Sequence, residues 1–330
     1  MLFLFAILSF VGHSLFYRAN LPKQFQDVPN HRSMHEKPVK KSAGIVFVGI
    51  FLALLTIQFF SNELRKEDYL FILIGTSFFC ILGFIDDLIH LSSVLKLVLE
   101  IIFLAVLLNF FPQRIHFFGL EIYFPIGVSI LLLILFIVFT TNLCNFMDGL
   151  DSYLSGSFLA FTINLIFLTG LESQTSLILI SMLISMTGFF YFNLPNAKMF
   201  MGDSGSLSIG FLISTSLFLL KDIGSENSIK GTVFVIPFLI PIFFLDGIVT
   251  IVKRTIQKQN VFLAHKEHLY QRIQTEVLTK VQTIVLFIGL NFIPLIVFIG
   301  IHYFGTSLII GFSIILILEV FIYSFLDSLT

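Results

Sequence analysis

Residues 69–87 read YLFILIGTSFFCILGFIDD, an uncharged apolar run that stops on two adjacent aspartates. A run of about 20 apolar residues is what a helix needs to cross a bilayer. Asp86 and Asp87 then mark where this span leaves the hydrocarbon, because carboxylates inside it are expensive. The same pattern recurs on both sides. Apolar runs lie at 2–17, 43–60, 69–85, 94–111, 124–141, 154–170, 176–192, 206–220, 231–252, 284–304 and 307–325, eleven in all. Over the whole chain 57% of residues are hydrophobic and 12% are charged. A soluble domain carries about 25% charge. The runs are continuous rather than alternating, which excludes a β-barrel. The fold expected is an all-α polytopic membrane protein of about 11 transmembrane helices. It occupies residues 1–330 as a single integral membrane domain, with no room for a second globular unit.

Charge sets the expected orientation. Loops after odd-numbered spans hold most of the 19 Lys and Arg residues, including the cluster from Arg18 to Lys41 and that from Lys253 to Lys280. The positive-inside rule puts those loops in the cytoplasm, the N-terminus outside and the C-terminus inside. The first run lacks a basic lead-in and a small-residue cleavage site, so it reads as a retained span. A net charge of −1 points to no nucleic-acid partner. Cys80 and Cys144 form no metal or disulfide pattern, and Cys80 reads as a buried thiol.

Nearly all the unusual polar chemistry lies on the odd loops. The first, DVPNHRSMHEKPVKKSAG (27–44), offers Asn30, Arg32 and His35, beyond the lysines that a membrane anchor explains. The second, GFIDDLIHLSSVLK (83–96), places Asp86 and Asp87 before Lys96. Adjacent carboxylates repel unless a cation or proton lies between them, which suits a magnesium site or a metal-plus-base pair.

The third, NLCNFMDGLDSYL (142–154), spaces Asn142, Asn145 and Asp148 by three, onto one face of a helical turn. A polar helix end needs one cap, not three such residues. The fourth, FNLPNAKMFMGDSGSLSIG (192–210), gathers Asn193, Lys198, Phe200 and Asp203, with Gly202 and Gly205 flanking the aspartate. A glycine turn entering a helix offers backbone N–H groups to an anion. The fifth, KRTIQKQNVFLAHKEHLYQRI (253–273), holds His265, His268 and Arg272. Two histidines three apart suit zinc, but no third ligand is near, and phosphate contact agrees better with the other loops. Carboxylates, a divalent cation and basic groups on one membrane face are the equipment of phosphoryl transfer.

These five segments resemble those of the polyprenyl-phosphate N-acetylhexosamine-1-phosphate transferases. That family includes the phospho-MurNAc-pentapeptide translocase and enzymes that start O-antigen, enterobacterial common antigen and teichoic acid synthesis. GFIDD, NFMDG and FMGDSGS carry the likeness most sharply. The resemblance implies transfer of a sugar-1-phosphate from a UDP-N-acetylhexosamine to undecaprenyl phosphate, releasing UMP, with Mg²⁺ as cofactor and Mn²⁺ as a substitute. It implies catalytic roles for Asp86, Asp87, Asp148, His265 and His268, and Asp203 as metal ligand with Asp87 beside it. It implies substrate contacts from Arg32, His35, Lys96, Asn142 and Asn145. Asn193, Lys198, Phe200 and Arg272 complete them, with Phe200 against uracil.

The form AHKEHLYQR resembles the O-antigen-initiating branch, and the triple-His run of the peptidoglycan branch is absent. The implied setting is the bacterial cytoplasmic (inner) membrane and lipopolysaccharide or cell-wall biogenesis, with the bilayer as partner and a homodimer as the protein assembly to look for. Two departures touch sugar and loop geometry: Ala43-Gly44 where many members have Gly-Gly, and DGLDSYL where many read DGLDGL. Asp246, in a span bearing Pro237 and Pro241, is expected to brace that span. The rival reading is a membrane transporter of a polar or phosphorylated solute, whose charges belong at mid-bilayer on paired broken helices. An inactive scaffold of the same fold is disfavoured by the retained carboxylates.

Overall fold

The computed structural model describes residues 1–29, 38–113, 115, 124–218, 233–260 and 266–330. Among them the chain forms α1 (Leu2–Arg18), α2 (Gly44–Phe60), α3 (Lys66–Ile89), α4 (Ser93–Phe110), α5 (Ile126–Met147), α6 (Tyr153–Thr169) and α7 (Gln174–Ser185). It continues with α8 (Thr187–Asn193), α9 (Gly202–Thr215), α10 (Pro241–Ile256), α11 (Leu269–Glu276), α12 (Lys280–Leu290), α13 (Ile293–Phe304) and α14 (Leu308–Asp327). Two short strands, β1 (Gln26–Asp27) and β2 (Val39–Lys40), pair antiparallel beside them. The architecture is nearly all α.

Within the described residues the apolar runs of the sequence are helical. By length and apolarity, α3, α4, α5, the α12–α13 pair and α14 suffice to cross a membrane, and α7–α8, bent by 45°, makes a sixth if taken as one span. Helices α1, α2 and α6 are apolar but only 17 residues long. Among the described residues five or six spans are thus long enough by themselves, and three more apolar helices fall just short of that length. Helix α9 is buried from Ser204 to Thr215 and is surrounded by protein.

Helix α9 packs chiefly against α3 and α5, with α2 close by. Its sequence GDSGSLSIG is small and hydroxyl-rich, as expected where helix backbones meet in an apolar environment. Two glycines of neighbouring helices make that approach possible. A Cβ on Gly83 would fall 2.3 Å from the Asp203 carbonyl, and one on Gly44 2.3 Å from the Gly205 amide. Phe79 and Phe71 close the same core against Phe211, at ring separations of 5.2 and 5.7 Å. Cys80 is buried in this core, as its apolar context implied. Around it, α4 and α14 turn Leu, Ile, Val and Phe outward, the apolar surface that a bilayer covers.

Candidate active site

The ends of these helices meet at one place. The chain enters it by β2, whose Lys40 bridges to Met199. The Phe200 amide donates to the Lys40 carbonyl (2.7 Å), and the Ala43 and Gly44 amides donate to the Phe200 and Met201 carbonyls (3.0 and 2.8 Å). The first and fourth segments are thus joined through backbone. Phe200 itself is partly exposed.

Next the chain turns at Gly202, which has φ +68°, and begins α9. Asp87, at the end of α3, lies beneath that turn. Its Oδ1 accepts the Asp203 amide (3.0 Å) and its Oδ2 the Ser204 amide (3.4 Å). A helix N-terminus leaves such amides without partners, and an anion there is favourable. Asp87 is only 6% exposed, so it clamps α3 to α9 from below. That task differs from the ligand and catalytic roles expected of it.

Asp203 and Asp86 face each other across one cation. Lys96, on the first turn of α4, donates to Asp203 Oδ2 at 2.5 Å and to Asp86 Oδ2 at 3.1 Å. The two carboxylates are close enough to interact directly. Such a pair needs a shared cation or proton. Asp86 is aimed by its other oxygen, which accepts the Leu91 amide at 2.6 Å as the chain leaves α3 through His90 at φ +53°.

From α5, Asn145 donates to Ser206 Oγ (3.0 Å) and reaches Asp203. Asn142, one turn earlier, donates to Glu100 (2.6 Å) and to the Val138 carbonyl (2.9 Å). Asp148 caps the C-terminal end of α5. Burial, and then the charges of Asp203, Asp151 and Asp87, hold its carboxyl well above the ordinary range.

The third, fourth and fifth segments interlock beside this cluster. Asn193 accepts from the Ser152 amide (2.6 Å) and hydroxyl (2.8 Å) and donates to the Met199 carbonyl (2.9 Å). It is 3% exposed, so its amide acts as a strut rather than an open contact for a nucleotide. Lys198 is exposed nearby. Asp151 accepts from the Ala197 amide (2.7 Å) and pairs with Lys280.

Further along, His268 caps α11 and is 3% exposed, with its Nδ1 3.6 Å from Asp246. Asp246 accepts the first amides of α11, from Leu269 (2.8 Å) and Tyr270 (3.3 Å). It therefore braces the fifth segment, a more specific duty than stiffening its own kinked span. The Tyr270 hydroxyl packs on Gly149, where a Cβ would lie 2.5 Å away. Burial, and then Asp246 and Asp148, push that phenol well up. Arg272 is engaged elsewhere, by Asp327 and Thr330 at the end of α14.

The structure thus unites Asp86, Lys96, Asn145, Asp148 and Asp203, and turns Asp87, Asn193 and His268 inward as supports. Arg32, His35 and His265 lie outside the described residues. Sequence reasoning passed over Asp151, Lys280 and Glu100. The second aspartate of DGLD was the available signal for Asp151. Lys280 looked like one more positive-inside lysine, and Glu100 like a stray charge in a span. Among the described residues no three His, Cys, Asp or Glu side chains are arranged to hold a metal ion. The carboxylate oxygens of Asp86 and Asp203 around the Lys96 ammonium, with the Asn145 amide beside Asp203, are nevertheless of the kind that a hard divalent cation accepts.

The sequence model of glycosyl transferase family 4 matches residues 69–221, from α3 past α9. A probable undecaprenyl-phosphate N-acetylglucosaminyl 1-phosphate transferase of Bacillus subtilis is 30% identical over 257 residues, covering 75% of this chain and 69% of the relative. The undecaprenyl-phosphate alpha-N-acetylglucosaminyl 1-phosphate transferase of Thermotoga maritima is 29% identical over 267 residues, 80% and 78% of the two chains. A phospho-N-acetylmuramoyl-pentapeptide-transferase of Bacillus pumilus is 32% identical over 230 residues, 64% and 69%. The chain is similar to both kinds of enzyme.

Proposed function

The chain belongs to glycosyl transferase family 4, and from that premise we propose that it transfers an N-acetylhexosamine-1-phosphate from a UDP-sugar to undecaprenyl phosphate. The observation that carries this reading is the Lys96 ammonium held between Asp86 and Asp203. Three separate helices place one positive and two negative groups where phosphates would exchange. An oxygen of the lipid phosphate attacks the β-phosphorus of the UDP-sugar. The bond from that phosphorus to the bridging oxygen breaks, and UMP leaves with the electron pair. A phosphate monoester, with a second pKa of about 6, needs little help from a base near neutral pH. The protein's work is positioning and charge neutralisation.

Asp203 and Asp86, with Asn145, are the residues that would hold Mg²⁺ or Mn²⁺, which supplies neutralisation of the diphosphate. Lys96 steers the anionic acceptor. Asp87 keeps Asp203 in register, and Asp148 borders the same cluster. Phe200, partly exposed on the joined first and fourth segments, is the ring that the family resemblance places against the uracil. The names of the two relatives that act on N-acetylglucosamine make UDP-N-acetylglucosamine the first donor to test. The AHKEHLYQR segment supports an O-antigen-type pathway, and the Lys and Arg distribution supports a site on the cytoplasmic side of the bacterial inner membrane. The transporter reading is not favoured, because the polar groups gather at helix ends.

The test is incubation of the purified protein in detergent with undecaprenyl phosphate, MgCl₂ and a panel of UDP-N-acetylhexosamines, with UMP as the product measured. One productive donor supports the assignment. Absence of UMP with every donor overturns it.

A further inference from the structure

Glu100 lies on α4 one turn beyond Lys96 and is fully buried, with 0% exposure. A carboxyl so placed in an apolar helix is costly, and costlier when half satisfied. Its Oε2 accepts the Asn142 Nδ2 at 2.6 Å, while its Oε1 has no partner among the described residues. Asn142 gives its nitrogen to Glu100 and to the Val138 carbonyl, and both of these only accept. The amide is therefore locked with its nitrogen inward. Its Oδ1 takes no bond among the described residues and is not sealed from solvent. Asn145, on the same face of α5 one turn later, reaches Asp203.

We propose that Glu100 is a positioning residue of the transfer reaction: it holds Asn142 with its nitrogen inward, so that the amide oxygen is left as a fixed acceptor on the face of α5 that carries Asn145. This rests on the function proposed above. Glu100 ties α4, which carries Lys96, to α5, which carries Asn145, from below the site. Its acceptor oxygen matters for this, and its charge does not. Folding by itself gains nothing from the group, since an apolar side chain of similar size would remove an unsatisfied buried acceptor.

The experiment compares Glu100→Leu, Glu100→Gln, Asn142→Ala and the double variant E100L/N142A with the intact protein in detergent. Melting temperature, kcat and the donor KM are measured. Glu100→Leu is expected to melt no lower than the parent while kcat falls about tenfold, the scale of a small displacement in a reacting site. Glu100→Gln, which keeps an acceptor, returns kcat to within about threefold of the parent, and E100L/N142A is no worse than N142A by more than about twofold. The idea is overturned if Glu100→Leu turns over like the parent, if Glu100→Gln is as impaired as Glu100→Leu, or if the two losses multiply. A Glu100→Leu chain that does not fold also overturns it, since the group would then be structural. A parent protein that yields no UMP from any donor defeats the proposed function instead, which keeps the two failures distinct.

Discussion

Lys96 and Asp203, 107 positions apart in the chain, form an ion pair of 2.5 Å at the point where α4 and α9 begin. Asp86 shares the same ammonium. Removing the lysine leaves two carboxylates facing each other with little solvent between them. Lys96→Met is expected to lower stability by roughly the 3–5 kcal/mol seen when one member of a buried pair is lost. Added MgCl₂ should restore more of the melting temperature in Lys96→Met than it adds to the parent, because the cation would replace the missing charge. Thermal melts in detergent with and without MgCl₂ check this. Equal shifts in both proteins would mean that the carboxylates do not take the ion.

Asp87 is distinguished from its neighbour by what it touches. It accepts two backbone amides at the head of α9, so its loss should act first on stability. Asp87→Ala is expected to cost about 1–2 kcal/mol, as other lost N-terminal caps do, and Asp87→Asn less. Asp86→Asn should instead leave the melting temperature near the parent's, since Lys96 keeps Asp203 as a partner, while UMP release falls to background in both Asp86→Asn and Asp203→Asn. If Asp87→Asn melts like the parent and is inactive, its role is that of a ligand and not of a clamp.

The contact of α3 with α9 through Gly83 makes a steric prediction. A methyl group there meets the Asp203 backbone at 2.3 Å, and backbone does not yield as a side-chain tip does. Gly83→Ala is expected to destabilise the protein by about 1–3 kcal/mol or more and to reduce turnover, since the displaced atoms carry Asp203. Gly49, inside α2, has nothing within 4 Å of a new Cβ. Gly49→Ala should leave activity intact and add about 0.5–1 kcal/mol of stability through helix propensity. Parallel melts and UMP assays on the two variants compare them directly.

Asp148 carries the pH dependence. Its folded carboxyl titrates well above the range of an unfolded chain, first through burial and then through Asp203, Asp151 and Asp87. A carboxyl raised on folding detracts nothing below its unfolded pKa, and its penalty grows as pH rises toward the folded value. Asp148→Asn should therefore melt like the parent in acid and progressively higher than the parent as pH rises toward neutrality. Melts across that range in the absence of divalent cation measure the difference. A constant difference at all pH values would mean that Asp148 does not titrate in this manner.

Much of this site could be read in one dimension because its motifs are local. Asp86 stands at the end of an apolar run, and Asn145 and Asp148 share a helical face by spacing alone. The supports could not be read that way. Asp87 and Asp86 are adjacent and chemically identical, yet one faces Lys96 and the other a helix N-terminus. Asn193 and His268 belong to polar motifs but point into the protein, toward Ser152 and Asp246. Arg272, at the end of a basic motif, bonds instead to the last turn of α14. Each outcome depends on which partner the packing supplies, and those partners lie from 10 to 116 positions away.

By itself the sequence determined the solvent this chain folds in and the helices it makes. An apolar run leaves the backbone no partner but itself, and that is a property of each segment alone. The tertiary structure decided which carboxylate faces the cation, which asparagine becomes a strut and how far Gly83 lets two backbones approach. Those are matters of distance between atoms remote in the chain, and electrostatic and steric energies change steeply over an ångström where sequence spacing carries no such resolution.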